Sequence, residues 1–403
     1  MHPSEPYLPE NIQHTDLPVP DSVALEHCQR VCARINQEIS ESQEIISFAR
    51  FMELALYEPG LGYYVAGARK FGEEGDFITA PELSSLYSRC VARQCQQILD
   101  ELNNGSILEL GPGTGVMACD IMQELEHLDC LPEKYLMLEI SAELKDRQQK
   151  LIKEKIPHLE GRIRWLDSLP ENEFVGLILA NEVLDAMPVH RISVKQDSVD
   201  ELCVGIDHDQ FIWVQRPAND GLLDQTEIIL KSLKSDLPEV YISEINCRIQ
   251  AWLNSLVDIL DRGAILFMDY GYPRHEYYHP QRTEGTLLCH YRHRVHANPF
   301  FFPGLQDITA SVDFTTVAEA ASNAGLDVGG YTTQAHFLLG CGLDAFIGEN
   351  KSTDNRESVE LSRQARILTM PGEMGERFKV MALTKDLDIP LMGFQFIDHR
   401  SRL

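Results

Sequence analysis

The sequence lacks the usual marks of a membrane protein, a disulfide-linked protein or a zinc protein. Its ten cysteines stand singly, and none forms a C-x-x-C pair, so we expect free thiols and no metal site. No uninterrupted apolar run approaches the about 18 residues of a transmembrane helix, so we expect no membrane insertion. No signal or transit peptide is visible at the N-terminus, which leads us to predict a cytoplasmic protein.

Basic residues are also scarce. The chain has 62 acidic residues against 35 lysines and arginines, a formal net charge of −27. This charge opposes attraction to phosphate backbones and anionic lipids, so nucleic acid is not expected as a partner. The acidity suits a soluble protein, or one that attracts a basic protein substrate. With 403 residues and 44% hydrophobic residues, the chain can form a core domain with a large insertion or accessory lobe.

A glycine-rich stretch at 107–115, I-L-E-L-G-P-G-T-G, organises the rest of the chain. It indicates a buried strand that enters a tight turn, followed by a helix from Val116. Glycine permits positive φ and a close approach of the backbone to a ligand. The spacing departs from the dinucleotide pattern G-x-G-x-x-G, because Val116 stands where the third glycine would be. E-x-G-x-G-x-G instead resembles motif I of class I S-adenosylmethionine (SAM) methyltransferases. An ordinary strand-to-helix turn is the alternative.

Further strands alternate with helices after this stretch, which predicts a doubly wound, mostly parallel α/β sheet. Ligands bind beyond the carboxyl ends of such strands, where Gly111, Glu139, Asp167 and Asn181 stand. We predict an antiparallel meander at 189–216, a helical region at 227–261 and a strand-like run at 331–339. The predicted regions are a flexible arm (1–20), an N-terminal helical region (21–104), a Rossmann-like half (105–188), an inserted lobe (189–262) and the remainder of the core (263–403).

Several polar residues near these strand ends could bind SAM. Glu139 could accept hydrogen bonds from both ribose hydroxyls. Glu109 and the backbone at Gly111, Gly113 and Gly115 could face the methionine portion. Asp167 and Ser168 would lie beside the adenine, where an acceptor for its amine is useful. The alternatives are a solvent-facing Glu139 and a helix cap at Asp167 and Ser168.

Asn181, Glu182 and Asp185 follow the strand at 174–180 and are candidates for contact with the methyl acceptor. Methyl transfer mainly requires that a nucleophile be positioned in line with the methyl group. A guanidinium acceptor would need carboxylates that bind it and hold its charge. On a helical turn, Glu182 and Asp185 would share one face. The alternative is a helix N-terminus with dipole-favoured acids.

Two irregular segments are also candidates for function. Residues 75–82, G-D-F-I-T-A-P-E, are glycine-rich and partly acidic, and Gly75, Asp76, Phe77 and Thr79 are predicted to close over the cofactor. The alternating His and Arg residues at 290–296 suit a solvated loop or an anion contact better than a metal site, because no cysteines stand nearby in zinc spacing.

Together these motifs resemble the MidA-type SAM-dependent methyltransferase family, which includes the mitochondrial protein arginine methyltransferase needed for assembly of respiratory complex I. The motifs that carry the resemblance are E-P-G-L-G-Y-Y, G-D-F-I-T-A-P-E, E-L-G-P-G-T-G, A-N-E-V-L-D-A-M-P-V-H, M-D-Y-G and Y-R-H-R. The resemblance implies a Rossmann-like methyltransferase core, SAM as methyl donor, and a protein arginine as acceptor, with a respiratory-complex subunit as one candidate. A small molecule or another side chain is an alternative acceptor, and a catalytically idle assembly factor is a second alternative. The sequence leaves the oligomeric state open.

Overall fold

The computed structural model describes residues 17–66, 79–171, 173–196, 198–233, 237–349 and 355–403. The chain forms two compact units, each built from separated segments. Unit 1 takes its described residues from Met1–Phe77, Ala186–Cys247 and Tyr278–Ala310, and unit 2 from Ile78–Asp185, Arg248–Tyr277 and Ser311–Leu403. Each unit is described separately below.

The helices and strands of the described residues are numbered in chain order. The helices are α1 Ser22–Glu41, α2 Phe48–Tyr57, α3 Ala80–Leu83, α4 Ser85–Leu102, α5 Val116–His127, α6 Ala142–Lys155, α7 Asp220–Ser232, α8 Ile249–Ile259, α9 Arg274–Tyr277, α10 Phe314–Asn323, α11 Gln334–Gly340, α12 Leu343–Glu349, α13 Asn355–Thr369 and α14 Met374–Arg377. The strands are β1 Ile46–Ser47, β2 Ser106–Leu110, β3 Tyr135–Leu138, β4 Ile163–Leu166, β5 Phe174–Asn181, β6 His190–Lys195, β7 Ser198–Asp207, β8 Gln210–Pro217, β9 Val240–Ile245, β10 Leu260–Tyr272, β11 Leu288–Tyr291, β12 Arg294–His296, β13 Asp307–Thr309, β14 Val312–Asp313, β15 Asp327–Thr333 and β16 Phe378–Lys385.

Unit 2 contains one large sheet with the strand order β15-β16-β10-β5-β2-β3-β4, and β14 pairs with β10. Strands β4, β3, β2, β5 and β10 run parallel to one another. The strand β16 runs antiparallel to its two neighbours, β10 and β15. The central strands are mostly apolar because both faces of the sheet are covered; Leu177, Ile178 and Leu179 are fully buried. The predicted doubly wound, mostly parallel fold is confirmed.

Unit 1 contains a five-stranded antiparallel sheet, β1-β7-β6-β9 with β8 on β7, and a three-stranded sheet β12-β11-β13. Its core joins the apolar faces of α1 and α2 to these strands, with Phe48 and Phe51 fully buried. Trp213 of β8 packs against Phe48, their ring centres 5.0 Å apart. The meander predicted at 189–216 is present as β6, β7 and β8.

Two predicted segments differ from the structure. The region 227–261 is not continuously helical, because β9 separates α7 from α8 and pairs with β6. The strand-like run at 331–339 is a strand only as far as Thr333. The Thr333 hydroxyl then accepts a hydrogen bond from the backbone N–H of His336 and caps α11. Both errors arise because short apolar runs fit helical and extended periods alike.

None of the described helices combines the length and the apolar character needed to cross a membrane.

Candidate functional site

The carboxyl ends of four neighbouring strands of unit 2, β4, β3, β2 and β5, lie at one edge of the sheet, and β10 passes beside them. In the register of the sheet, Leu110 of β2 lies between Leu138 of β3 and Ala180 of β5. The outer pairs continue this row, with Leu138 beside Leu166 of β4 and Asn181 beside Met268 of β10. The residues that follow these positions therefore lie along one edge, as predicted for Gly111, Glu139 and Asp167, while Asn181 is itself the last residue of β5. They are Gly111, Glu139, Asp167, Glu182 and Asp269.

The glycine turn after β2 has the positive φ angles expected of its sequence. Gly111, Gly113 and Gly115 have φ values of 62°, 54° and 85°, a region that L residues with a side chain enter only at a cost. Gly115 is the N-cap of α5 and its backbone N–H donates to the Pro112 carbonyl at 2.9 Å. A Cβ added to Gly113 would meet no atom within 4 Å, so the turn borders open space. Such a turn can admit a ligand against its backbone.

Glu139 is a buried carboxylate at the end of β3. Its Oε1 accepts a hydrogen bond from the Ser141 N–H at 2.8 Å, and its Oε2 accepts one from Gln148 Nε2 at 3.1 Å. Burial raises the pKa of Glu139, and the hydrogen bonds from Ser141 and Gln148 oppose this shift. Each oxygen keeps a lone pair for a further donor. The group can therefore serve as an acceptor for hydroxyl groups.

Asp167 and Ser168 lie at the end of β4, and both are exposed. The Asp167 side chain is 91% exposed and pairs with Lys145 of α6. The next element is β5, so neither residue caps a helix. If Asp167 or Ser168 accepts a hydrogen bond from the adenine amine, it does so at a solvent-exposed part of the edge.

Glu109 is buried inside the sheet, two residues before the glycine turn. Its Oε2 accepts a hydrogen bond from the Tyr135 hydroxyl at 2.8 Å. Burial raises the pKa of Glu109 to about 7, against an opposing effect of the Tyr135 hydrogen bond, while the charge of Glu139 adds to the rise. Its carboxyl group is thus partly neutral near neutral pH.

The segment after β5 is not helical, so the helical turn predicted for Glu182 and Asp185 is wrong. Glu182 has φ 52°, a left-handed conformation that ends the strand sharply. Asn181 connects this segment to α4: its Oδ1 accepts from the Tyr87 hydroxyl at 2.6 Å, and its Nδ2 donates to Glu182 Oε1 at 3.2 Å. The two candidate acids therefore owe their positions to contacts other than helical spacing.

Asp269, at the corresponding point of β10, holds this segment. Its Oδ2 accepts hydrogen bonds from the backbone N–H groups of Val183, Leu184 and Asp185 at 3.2, 2.9 and 3.2 Å. Its Oδ1 accepts from the Tyr270 N–H at 2.8 Å. Asp269 is fully buried, and burial raises its pKa well above the ordinary value, as do the nearby charges of Asp185 and Glu182. One buried carboxylate thus shapes the acidic turn.

Sequence reasoning did not select three residues that position this edge: Asp269, Gln148 and Tyr87. Asp269 lies in the M-D-Y-G motif, three residues before the end of β10, so a search near strand ends could have found it. Gln148 and Tyr87 lie inside helices, and no local pattern marks them. Of the irregular segment, Gly75, Asp76 and Phe77 lie outside the described residues. Thr79 is the N-cap of α3.

The helix α3 contacts the glycine turn through a hydrogen bond in which the Thr114 hydroxyl donates to Glu82 Oε1. In the part of the chain that the structure describes, no group of three or more His, Cys, Asp or Glu residues could hold a metal ion. The chemistry of this edge therefore consists of exposed backbone, carboxylates and amides.

Three comparisons, with protein families, curated proteins and solved structures, agree. The sequence profile of a family of S-adenosyl-L-methionine-dependent methyltransferases matches residues 90–332. Curated relatives include the mitochondrial protein arginine methyltransferase NDUFAF7 homolog of Drosophila melanogaster, 29% identical over 384 residues, which cover 87% of this chain and 85% of the relative. The mitochondrial protein arginine methyltransferase NDUFAF7 of Homo sapiens is 28% identical over 380 residues, covering 84% of this chain and 80% of the relative.

Two crystal structures from Burkholderia thailandensis are similar over almost the whole chain. One, solved with S-adenosyl-homocysteine bound, is 40% identical with a TM-score of 0.92, and the match covers 96% of this chain and 100% of that chain. The other is a native crystal structure, 39% identical with a TM-score of 0.89 and the same coverage.

These comparisons confirm the family resemblance, the Rossmann-like methyltransferase fold and SAM as the cofactor. They overturn the prediction of a cytoplasmic protein, because the curated relatives are labelled mitochondrial. That prediction depended on seeing no transit peptide, which is a weak basis for a compartment.

The residues at the sheet edge fit SAM on chemical grounds. The open glycine turn at Gly113 leaves room beside the backbone, and the buried Glu139 carboxylate offers acceptors to two hydroxyl groups. The negative charges of Glu139, Glu182 and Asp185 suit the cationic sulfonium. Nothing in this set of residues opposes the cofactor.

Proposed function

We propose that this protein transfers a methyl group to a guanidinium nitrogen of a protein arginine. The chain belongs to this family of S-adenosyl-L-methionine-dependent methyltransferases. Curated relatives that match along most of their own length are named protein arginine methyltransferases. The match includes the A-N-E-V-L-D segment at the edge of the sheet, within residues 90–332. The relatives therefore support both the reaction and the acceptor class.

The observation that carries the acceptor class is the carboxylate cluster beyond β5 and β10. Asp185 and Glu182 lie close enough to Asp269 for their charges to raise its pKa. Three acidic groups in one partly dry place repel one another, so a cation bound among them would relieve that repulsion. A guanidinium is such a cation, and its planar set of five donors suits carboxylate partners. The cluster is therefore suited to an arginine side chain.

The proposed roles divide between the two sides of the edge. Bound SAM supplies an electrophilic methyl group on its sulfonium. Gly111, Gly113, Gly115 and Glu139 would hold the methionine and ribose, with Glu109 beneath the turn. Asp167 and Ser168 would lie by the adenine, and Thr79, at the start of α3, would cover the cofactor.

On the acceptor side, Glu182 and Asp185 would pair with the guanidinium and aim one nitrogen at the methyl carbon, with the Asn181 amide beside them. Glu182 is half-buried and Asp185 is buried, so both would act at low local dielectric. Positioning of this kind accounts for most of the catalysis that methyl transfer needs.

Calorimetry tests the cofactor side. We expect wild-type protein to bind SAM, and Glu139→Ala to weaken binding by about 10- to 100-fold, the effect of losing hydrogen bonds to a charged group. Glu133→Ala is the matched control, because Glu133 is exposed just before the opposite end of the same strand. Absence of SAM binding by the wild type, or undiminished binding by Glu139→Ala, would contradict the proposed site.

Transfer of a labelled methyl group tests the acceptor side. Purified protein is incubated with labelled SAM and a cell lysate, and mass spectrometry identifies the modified residue. We expect methylarginine, with transfer reduced at least about 100-fold in Asp185→Ala. Asp146→Ala, an exposed acid on α6, should retain transfer. Label found only on another side chain or a small molecule would disprove the arginine acceptor while leaving the methyltransferase intact.

A further inference from the structure

Gln148 is a fully buried amide on α6 at which three parts of the sheet edge meet. Its Nε2 donates to the Gly113 carbonyl at 2.8 Å and to Glu139 Oε2 at 3.1 Å. Its Oε1 accepts from the indole N–H of Trp165 on β4 at 2.8 Å. One side chain therefore connects the glycine turn, the acid at the end of β3 and the Trp165 side chain near the end of β4.

The chemistry of these partners allows only one orientation of the Gln148 amide. The indole N–H of Trp165 can only donate, so it must face the amide oxygen. The Gly113 carbonyl and the Glu139 carboxylate can only accept, so they must face the amide NH₂. A flipped amide would place its oxygen against two acceptors. The network therefore determines which end of the amide faces Glu139.

Close packing prevents the amide from moving away from the turn. A Cβ added to Gly115 would lie 3.1 Å from Gln148 Cγ and 3.4 Å from Gln148 Cβ. Two facts therefore disfavour a side chain at position 115: the φ of 85°, and the space that Gln148 already occupies. The stem of Gln148 and the start of α5 are in contact, which holds the amide in reach of Glu139.

We propose that Gln148 is a positioning residue that aims the Glu139 carboxylate at the ribose hydroxyls of the cofactor. Ser141 N–H holds one carboxylate oxygen and Gln148 holds the other, so the carboxylate plane cannot rotate. The free lone pairs of both oxygens then point in fixed directions. This inference rests on the proposed contact of Glu139 with the ribose, and it assigns the discrimination of ribose from deoxyribose to Gln148.

The test measures affinity for two ligands by calorimetry: S-adenosyl-homocysteine and its 2′-deoxy analogue. We expect the wild type to prefer the ribose ligand by about tenfold, the worth of one hydrogen bond to a charged group. Gln148→Met removes both donors at similar volume, so the ribose ligand should bind about 10-fold more weakly and the preference should fall to within about twofold. Gln148→Glu turns a donor into an acceptor and should lower affinity further. Trp165→Phe removes only the group that orients the amide, so its effect should be the smallest of the three.

Gln94 supplies a matched control in the same unit. It is also fully buried and bonds at both ends of its amide: Nε2 donates to Gln97 at 2.9 Å and Oε1 accepts from the Gly393 N–H at 3.0 Å. Gln94→Met should lower the melting temperature as Gln148→Met does, yet retain both affinities and the ribose preference.

Two results would overturn the proposal in distinguishable ways. If Gln148→Met weakened both ligands equally and kept the wild-type preference, Gln148 would have only a structural role and the proposed function would stand. If the wild type did not bind S-adenosyl-homocysteine at all, the proposed function itself would fail.

Discussion

The glycine turn and the acidic turn lie at the ends of neighbouring strands, yet they are shaped by opposite means. The glycine turn takes its positive φ angles at three glycines, residues that adopt them without strain. The acidic turn takes a positive φ at Glu182, a residue that disfavours it, and is held by Asp269, which lies 84 to 86 residues further along the chain. Local chemistry shapes the first turn, and a tertiary contact shapes the second.

This difference matches the task proposed for each turn. A cofactor common to a whole family can be held by backbone, which every sequence carries. An acceptor site requires charged side chains in a set geometry, and strained conformations at such sites persist only where surrounding contacts over-determine them. We therefore expect the acidic turn to depend on buried anchors more strongly than the glycine turn does.

The largest expected effect is that of Asp269→Ala. It leaves four backbone N–H groups without their acceptor, so we expect the free energy of unfolding to fall by about 4 kcal/mol and methyl transfer to be lost. Denaturant unfolding and the transfer assay measure both. Asp313→Ala is the control, because the Asp313 side chain is only 9% exposed and also accepts backbone N–H groups, those of Thr315 and Thr316 at the start of α10. Retained transfer in Asp269→Ala would show that the acidic turn needs no distant anchor.

The second effect concerns Glu109 beneath the glycine turn. Its pKa of about 7 in the folded chain exceeds the ordinary value of 4.5, so the folded state binds a proton that the unfolded state has released between these pH values. Its contribution to stability is therefore complete below pH 4.5 and is lost as the pH rises through 7. The loss amounts to about 3 kcal/mol.

Glu109→Gln removes this titration and keeps an acceptor for Tyr135. The difference in unfolding free energy, variant minus wild type, should rise by about 3 kcal/mol between pH 4.5 and pH 8. A difference that stays constant across this range would show that Glu109 is ionised throughout in the folded protein.

The third effect separates two glycines of the same turn. Gly113→Ala should cost about 1 kcal/mol, the price of a left-handed alanine, because its Cβ meets open space. Gly115→Ala should cost about 1 to 2 kcal/mol more and weaken SAM binding, because its Cβ also displaces Gln148. Thermal unfolding with and without SAM compares them. Equal losses of stability in Gly113→Ala and Gly115→Ala would mean that α6 can shift to make room for the added Cβ at little cost.

The smallest effect on stability is expected at Glu182. Glu182→Gly relieves the left-handed strain, so the free energy of unfolding should rise by about 0.5 kcal/mol while methyl transfer is lost. Glu182→Ala removes the same carboxylate and keeps the strain, so it should be less stable than Glu182→Gly and equally inactive. If the glycine variant proved the less stable one, the contacts around Asp269 would favour a side chain at this φ.

Element positions in the sheet were predictable where the pattern was long or strongly apolar. The helix α5 begins at Val116 and the strand β5 begins at Phe174, as the sequence indicated, because a glycine turn marks the first start and a continuous apolar run marks the second. The strand β9 was not predictable inside an apolar region that reads equally well as helix. Its extended form depends on β6, which offers a partner edge only after folding.

The sequence alone determined the glycine turn, the mostly parallel sheet that follows from alternating elements, and the row of polar residues at the strand ends. These follow from local steric rules and from periodicity, which need no partner. Only the tertiary structure decided the shape of the acidic turn, the orientation of the Gln148 amide and the burial of Glu109. Each depends on a group far along the chain: Asp269 for the turn, Trp165 for the amide and Tyr135 for the acid. Hydrogen bonds between distant residues leave no periodic pattern, so they exist only once the sheet has assembled.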